Sequence, residues 1–266
     1  MRSVSPTLPL GKVIAGSLML SWERRRALVR AVWLPFLLGI GLTIAETFFG
    51  PDAAQQGAAE SGGGLSQSSL LLWTLPLFAL TVVFAVRSYR VYLLGDQSSA
   101  ATAPISWGLR ETRFVFAMAG IAFVFLMAAF VFGSAVALVV PNVNEFAGGQ
   151  FGLSLLLPPA YLAGRLLPAL PAIAGDHCED VFQALAGAWR MTRRNGWKVL
   201  ALCVLLPGAL AWSLEVVSQL PIPGIYFASS IAVWLAMPVE LALVALSYLT
   251  LKRSEPAALP GTDQAE

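Results

Sequence analysis

With 266 residues, 57% of them hydrophobic and only 12% charged, and a mean hydropathy of +0.72, the chain is unusual chiefly in its shortage of charge. Soluble domains carry about a quarter charged residues, and a soluble globule with so few would expose large apolar patches and aggregate; the bilayer is the solvent that fits. A formal net charge of +2 is too small to point to nucleic acid, so the positions of the charges carry the information.

Apolar runs long enough to cross about 30 Å of hydrocarbon fall at 31–49, 70–86, 114–140, 151–170, 199–220 and 225–251. They predict an all-α polytopic membrane bundle of six transmembrane helices, a single domain over residues 1–252. The first run lies behind a long polar and basic lead, unlike the apolar core of a signal peptide, so it is expected to stay as a spanning helix. The connections 50–69 (rich in Gly, Ala and Ser), 141–150 and 221–224 alternate with longer ones at 87–113 and 171–198. The tail 253–266 is polar with two prolines and is expected to be disordered.

Lys and Arg are completely segregated. Arg2, Lys12, Arg24, Arg25, Arg26 and Arg30 precede the first run, and Arg87, Arg90, Arg110 and Arg113 lie between the second and third. Arg165, near the end of the fourth, and Arg190, Arg193, Arg194 and Lys198 are on the same side, as are Lys252 and Arg253 after the sixth. The alternate connections contain none. Basic residues mark the cytoplasmic side, so both termini are expected to be cytoplasmic.

A pattern recurs roughly every 80 residues: Trp22, Trp107 and Trp189 each stand ahead of a basic cluster and an odd-numbered run, and Pro76, Pro158 and Pro238 mark the even-numbered runs. This predicts three two-helix repeats, at about 7–93, 94–171 and 172–252, each preceded by a cytoplasmic interfacial helix. The third is clearest. Asp176 and Glu179 have capping-box spacing, Val181, Leu185, Ala188 and Thr192 share a helical face, and Asn195-Gly196 offers the left-handed residue that ends a helix. Such helices place aromatics at headgroup depth and cations on lipid phosphate. The candidate lipid-interface residues are Trp22, Arg24, Arg25 and Arg26 in the first unit, and Trp107, Arg110 and Arg113 in the second. Trp189, Arg190, Arg193, Arg194, Trp197 and Lys198 complete the set.

Ionisable groups inside spans are expensive and commonly functional. Arg165 and Glu240 lie on runs of the same direction at a matching depth of about 21 Å from the far ends. They are candidates for an intramembrane charge pair, the alternative being that Arg165 reaches the headgroups alone. Glu46 and Glu215 sit near the far ends of runs one and five with no basic residue on that side. His177, the sole histidine, cannot assemble a metal site from adjacent residues at a helix start, and it offers no convincing catalytic triad. Cys178 and Cys203 are read as reduced thiols. No phosphate-binding glycine loop is present. No cofactor, metal or catalytic residue is predicted.

The stretches SLMLSW and RRRALVRAVWLP (17–22 and 24–35) and FQALAGAWRMTRRNGWKVL (182–200), with surface segments alternating with hairpins, resemble a broad group of bacterial six-span inner-membrane proteins. That group includes the YciC-like proteins and the membrane domain attached to some glycerophosphodiester phosphodiesterases. The resemblance implies a membrane-embedded helper protein, multi-pass in the bacterial cytoplasmic (inner) membrane. These 266 residues leave no room for a phosphodiesterase domain among the six runs, so that activity is not carried over. Mitochondrial carriers, also built of three hairpins, are excluded because Pro35 and Pro207 lack the acidic residue of the carrier gate. The expected function is therefore non-enzymatic, organising anionic membrane lipids or a partner membrane protein through basic, Trp-bearing interfacial helices. The alternative is a small-solute or lipid transporter with a path inside the bundle.

Overall fold

The computed structural model describes residues 8–49, 67–95, 106–139, 155–178, 180–220, 222 and 224–253. Among them every regular element is helical. Helix α1 (Leu10–Glu23) is separated from α2 (Arg25–Phe49) only by Arg24. Then come α3 (Gln67–Leu94), α4 (Leu109–Val139), and the short α5 (Leu157–Gly164) and α6 (Ala169–Ala174). The amphipathic α7 (Val181–Met191) leads into α8 (Gly196–Leu200), which continues through one π turn (Ala201–Leu205) into α9 (Leu206–Ser218). Helix α10 (Ile225–Arg253) ends the described chain. Residues 254–266 of the tail expected to be disordered, and 50–66 of the first connection, lie outside the described residues.

Among the described residues, five segments are long and apolar enough to cross a membrane: Arg25–Ala45, Trp73–Leu94, Leu109–Leu138, Gly196–Ser218 and Ile225–Arg253. They coincide with five of the six apolar runs, although α2 and α4 begin several residues earlier than the runs do. The reason is that Arg25, Arg26, Arg30, Arg110 and Arg113 extend the helices into the basic end; arginine is a good helix former and carries its charge outward on an apolar stem.

The fourth run behaves differently. Helix α5 stops at Gly164, and Leu166, Leu167, Ala169 and Leu170 then donate to carbonyls only three residues back. Pro168 and Pro171 are the cause. A proline has no N–H for the i→i−4 bond, and its ring collides with that carbonyl, so two prolines three apart force the chain through tight turns. The outcome is a broken element whose second half, α6, is wholly buried and packs on α3, α4, α7 and α10. Its alanines and prolines let four helices approach.

Burial is concentrated at one end. Val82–Tyr89 in α3, Ala242–Ala245 in α10, all of α6, and Val199, Leu200 and Leu202 make the core. By contrast, no residue of α9 is buried, and the second half of α4 exposes Phe123, Leu126, Phe130 and Val131. Apolar surface of this kind suits lipid tails, which are as apolar as leucine itself. A second cluster joins Phe36 of α2, Phe84 of α3 and Trp234 of α10, with ring centroids 5.9–6.4 Å apart. Gly39 permits that contact: a Cβ there would overlap the Trp234 ring.

Candidate functional site

The basic residues converge on the packed end of the bundle. Arg24 donates to the Val91 carbonyl of α3, and buried Arg87 of α3 donates to the Ala31 carbonyl at 3.2 Å and to Ser106 Oγ at 3.4 Å. Arg90 and Arg110, from α3 and α4, both grip Asp176. Arg90 Nη1 donates to Oδ2 at 2.6 Å, while Arg110 forms a two-pronged pair at 2.7 and 2.8 Å. Asp176 follows α6 with a left-handed φ of 56°, a conformation that aspartate tolerates better than most residues. It thus ties three elements together. Partial burial alone would raise its carboxyl, but the hydrogen bonds and charge of Arg110 and Arg90 hold it below the usual carboxylate range. The neighbouring His177 ring stands 5.9 Å from Tyr248. Desolvation, and the charge of Lys252, lower its affinity for a proton.

Two expectations are corrected at the amphipathic helix. Asp176 does not cap the amphipathic helix. Asp180 does, its carboxylate accepting from the Phe182 amide at 2.9 Å. Nor does Asn195-Gly196 end that helix in a left-handed turn: α7 ends at Met191, and Asn195 is the residue before α8. Gly196 is needed for close approach instead, since a Cβ would stand 2.6 Å from the Tyr161 hydroxyl. Tyr161 in turn stacks on Trp197 with centroids 4.6 Å apart.

Arg165 lies at the break between α5 and α6, 7% exposed; its guanidinium is 5.9 Å from the Tyr161 ring centroid of α5, and its hydrogen-bond partners are on or beside α7. Nε donates to Thr192 Oγ1 at 3.2 Å and Nη2 to the Trp189 carbonyl at 2.8 Å, and the guanidinium lies 3.6 Å from the Trp189 ring centroid. Thr192, fully buried, makes a hydroxyl contact to the Arg165 carbonyl at 3.2 Å and donates to the Ala188 carbonyl at 2.8 Å. The predicted pairing of Arg165 with Glu240 is therefore not what forms. Arg165 locks the broken segment to the amphipathic helix, and no ion pair joins it to Glu240 among the described residues. Equal depth on two runs says nothing about which faces meet, and the turns at Pro168 and Pro171 redirect Arg165 toward α7. The side chain of Glu46 lies outside the described residues, and Glu215 is exposed.

The interfacial residues divide by unit. In α1, Val13 and Ser17 are buried, with Gly16 against Leu246 of α10. Trp22 stays 69% exposed, the Arg25 guanidinium 4.5 Å from its ring centroid. In α7, Ala184 and Ala188 are buried while Phe182, Gln183 and Arg190 face outward. Arg193, Arg194 and Trp197 follow, all exposed, with Lys198 half-buried. The second unit shows no separate interfacial helix among the described residues. Trp107 stands in a non-helical lead, its indole N–H donating to Thr112 Oγ1 at 3.1 Å, and Arg110 and Arg113 belong to α4 itself. Gly108 N donates to Glu111 Oε2 at 2.9 Å, which starts α4 directly.

Sequence reasoning missed Tyr92, whose hydroxyl donates to the Pro238 carbonyl at 2.8 Å and lies 3.2 Å from Ser21 Oγ, joining α1, α3 and α10. It also missed the roles of Asp176 and Thr192. A lone threonine on an otherwise apolar helical face was the available signal for the latter. No group of three or more His, Cys, Asp or Glu side chains able to hold a metal occurs among the described residues.

The fold and the site define a class: an all-helical protein with five helices long and apolar enough to span a membrane, its cations gathered where the core is densest. In comparisons with protein families, characterised proteins and solved structures, nothing matches the chain.

Proposed function

We propose that this protein is a non-enzymatic, multi-pass protein of the bacterial cytoplasmic membrane that organises anionic lipid, with its basic face toward the cytoplasm. On this reading the broken segment 157–174 is the sixth membrane-embedded element, which returns both termini to the basic side. The resemblance to the YciC-like group belongs to the same proposal.

One observation carries it. Helix α1 buries Val13 and Ser17 and leaves Trp22 outward beside Arg25, the first residue of α2, and α7 buries Ala184 and Ala188 and leaves Trp189 and Arg190 outward, where headgroups would lie. Phe182, 80% exposed, and Trp197, 65% exposed, bracket Arg190, Arg193 and Arg194. Aromatics and cations in that arrangement match the interfacial layer, where basic side chains near anionic lipid contribute about 1 kcal/mol each. A transport path through Arg165 and Glu240 lacks comparable support, because Arg165 is engaged by Trp189 and Thr192.

The test is lipid composition after extraction in mild detergent. The wild type is expected to retain phosphatidylglycerol in excess of its share in the membrane. The triple variant Arg190→Glu, Arg193→Glu and Arg194→Glu should lose that excess with unchanged helicity. Equal retention by both would overturn the proposal.

A further inference from the structure

Beside the interruption at Arg24, where α1 gives way to α2, lies a cavity of about 650 Å³ between α1, α2 and α10. Its floor is the buried Leu28 and Val32 of α2 and Phe84 of α3, and its open side is framed by Val29, Leu37 and Leu235, all exposed. The lining is apolar apart from Ser21 and one cation, Arg25, both beside Trp22 at one end. From Arg25 to Leu37 the cavity follows α2 for twelve residues, roughly 18 Å at the helical rise. One leaflet of hydrocarbon is about 15 Å deep, half of the bilayer core.

From the charge at one end, the apolar wall and the single-leaflet depth, we infer that this cavity holds one anionic glycerophospholipid, with an acyl chain along α2 and its phosphate on Arg25. The inference rests on the lipid-organising reading and makes it specific, adding a stoichiometric site to a general attraction. The Arg25 guanidinium spends one N–H on the Trp22 carbonyl at 2.8 Å and lies over the Trp22 ring. It is thereby held at the cavity mouth with donors left for phosphate, a charge-assisted contact stronger than a neutral one. The floor explains the chain end of the ligand. Leu28, Val32 and Phe84 offer no hydrogen-bonding side chain, so water gains nothing there, whereas a hydrocarbon chain loses nothing by leaving the bilayer.

The experiment is native mass spectrometry of the full-length protein released from nanodiscs of phosphatidylglycerol and phosphatidylethanolamine. The wild type should keep one phosphatidylglycerol at collision energies that strip the rest. Leu37→Trp fills the chain end from a lipid-facing position, so the fold should tolerate it, which circular dichroism checks. It should lower the retained fraction by about tenfold or more, and Arg25→Gln should remove the preference for the anionic lipid. In the same experiment, the triple reversal at Arg190, Arg193 and Arg194 should reduce the loosely held anionic lipid while leaving the single tight one. Absence of a tight lipid from the wild type, with loose enrichment still lost in the triple variant, would overturn the site and leave the general reading standing. Loss of both signals would overturn both. Retention of the tight lipid by a folded Leu37→Trp variant would overturn the site.

Discussion

Arg165→Met is the most informative single change, because the structure assigns its hydrogen-bond partners to Trp189 and Thr192, on and just after α7, and equal depth alone would assign them to α10. The guanidinium donates to the Trp189 carbonyl and to Thr192 and lies over the Trp189 ring. Hydrogen bonds involving a charged group contribute about 1.5–3 kcal/mol each, and a desolvated cation–π contact about 2 kcal/mol. Removing the charge also removes several kcal/mol of desolvation cost, so the net loss should be about 2–3 kcal/mol. The coupling is more diagnostic than the loss. In a double-mutant cycle, Arg165→Met with Trp189→Leu should show a coupling of about 1–2 kcal/mol. Arg165→Met with Glu240→Gln should be additive to within about 0.5 kcal/mol, as for sites that share no contact. Unfolding in mixed micelles, followed by circular dichroism, measures both. Coupling above about 1 kcal/mol to Glu240, with none to Trp189, would refute the assignment.

Three further outcomes are expected. Gly39→Ala should destabilise the protein despite a helix-propensity gain of about 1 kcal/mol, because overpacking against a fixed ring costs about 1–3 kcal/mol; Trp234→Leu should rescue it. Gly41→Ala, where a Cβ meets nothing within 4 Å, should be neutral or stabilising in the same thermal melts. Asp176→Asn keeps a residue that accepts the left-handed φ but loses both ion pairs, at a cost of no more than about 1 kcal/mol for so exposed a carboxylate. Since the folded carboxyl is held below its ordinary value, the advantage of the wild type is full above about pH 4 and shrinks as pH falls through the lowered value; melting the two proteins side by side from pH 7 to pH 3 checks it. Finally, a membrane-impermeant maleimide should label partly exposed Cys178 from the cytoplasmic side of the membrane only, and buried Cys203 only after denaturation; labelling of Cys178 from the periplasmic side would reverse the proposed orientation.

Hydropathy, charge segregation and the Trp-bearing basic stretches were legible because each is a property of neighbours along the chain. A run of apolar residues that must satisfy its own backbone in lipid has few options besides a helix, so five long helices could be placed without knowing their neighbours. The break in the fourth run was written in Pro168 and Pro171, yet hydropathy does not register a missing N–H. The sequence by itself therefore determined an all-helical, membrane-suited chain with its cations at one end. Only the tertiary structure decided that Arg165 binds α7, that Asp176 holds Arg90 and Arg110, and that α1, α2 and α10 leave a cavity beside Arg25. Those choices depend on which helix faces meet, and contacts between residues far apart in the chain are set by packing across the whole bundle.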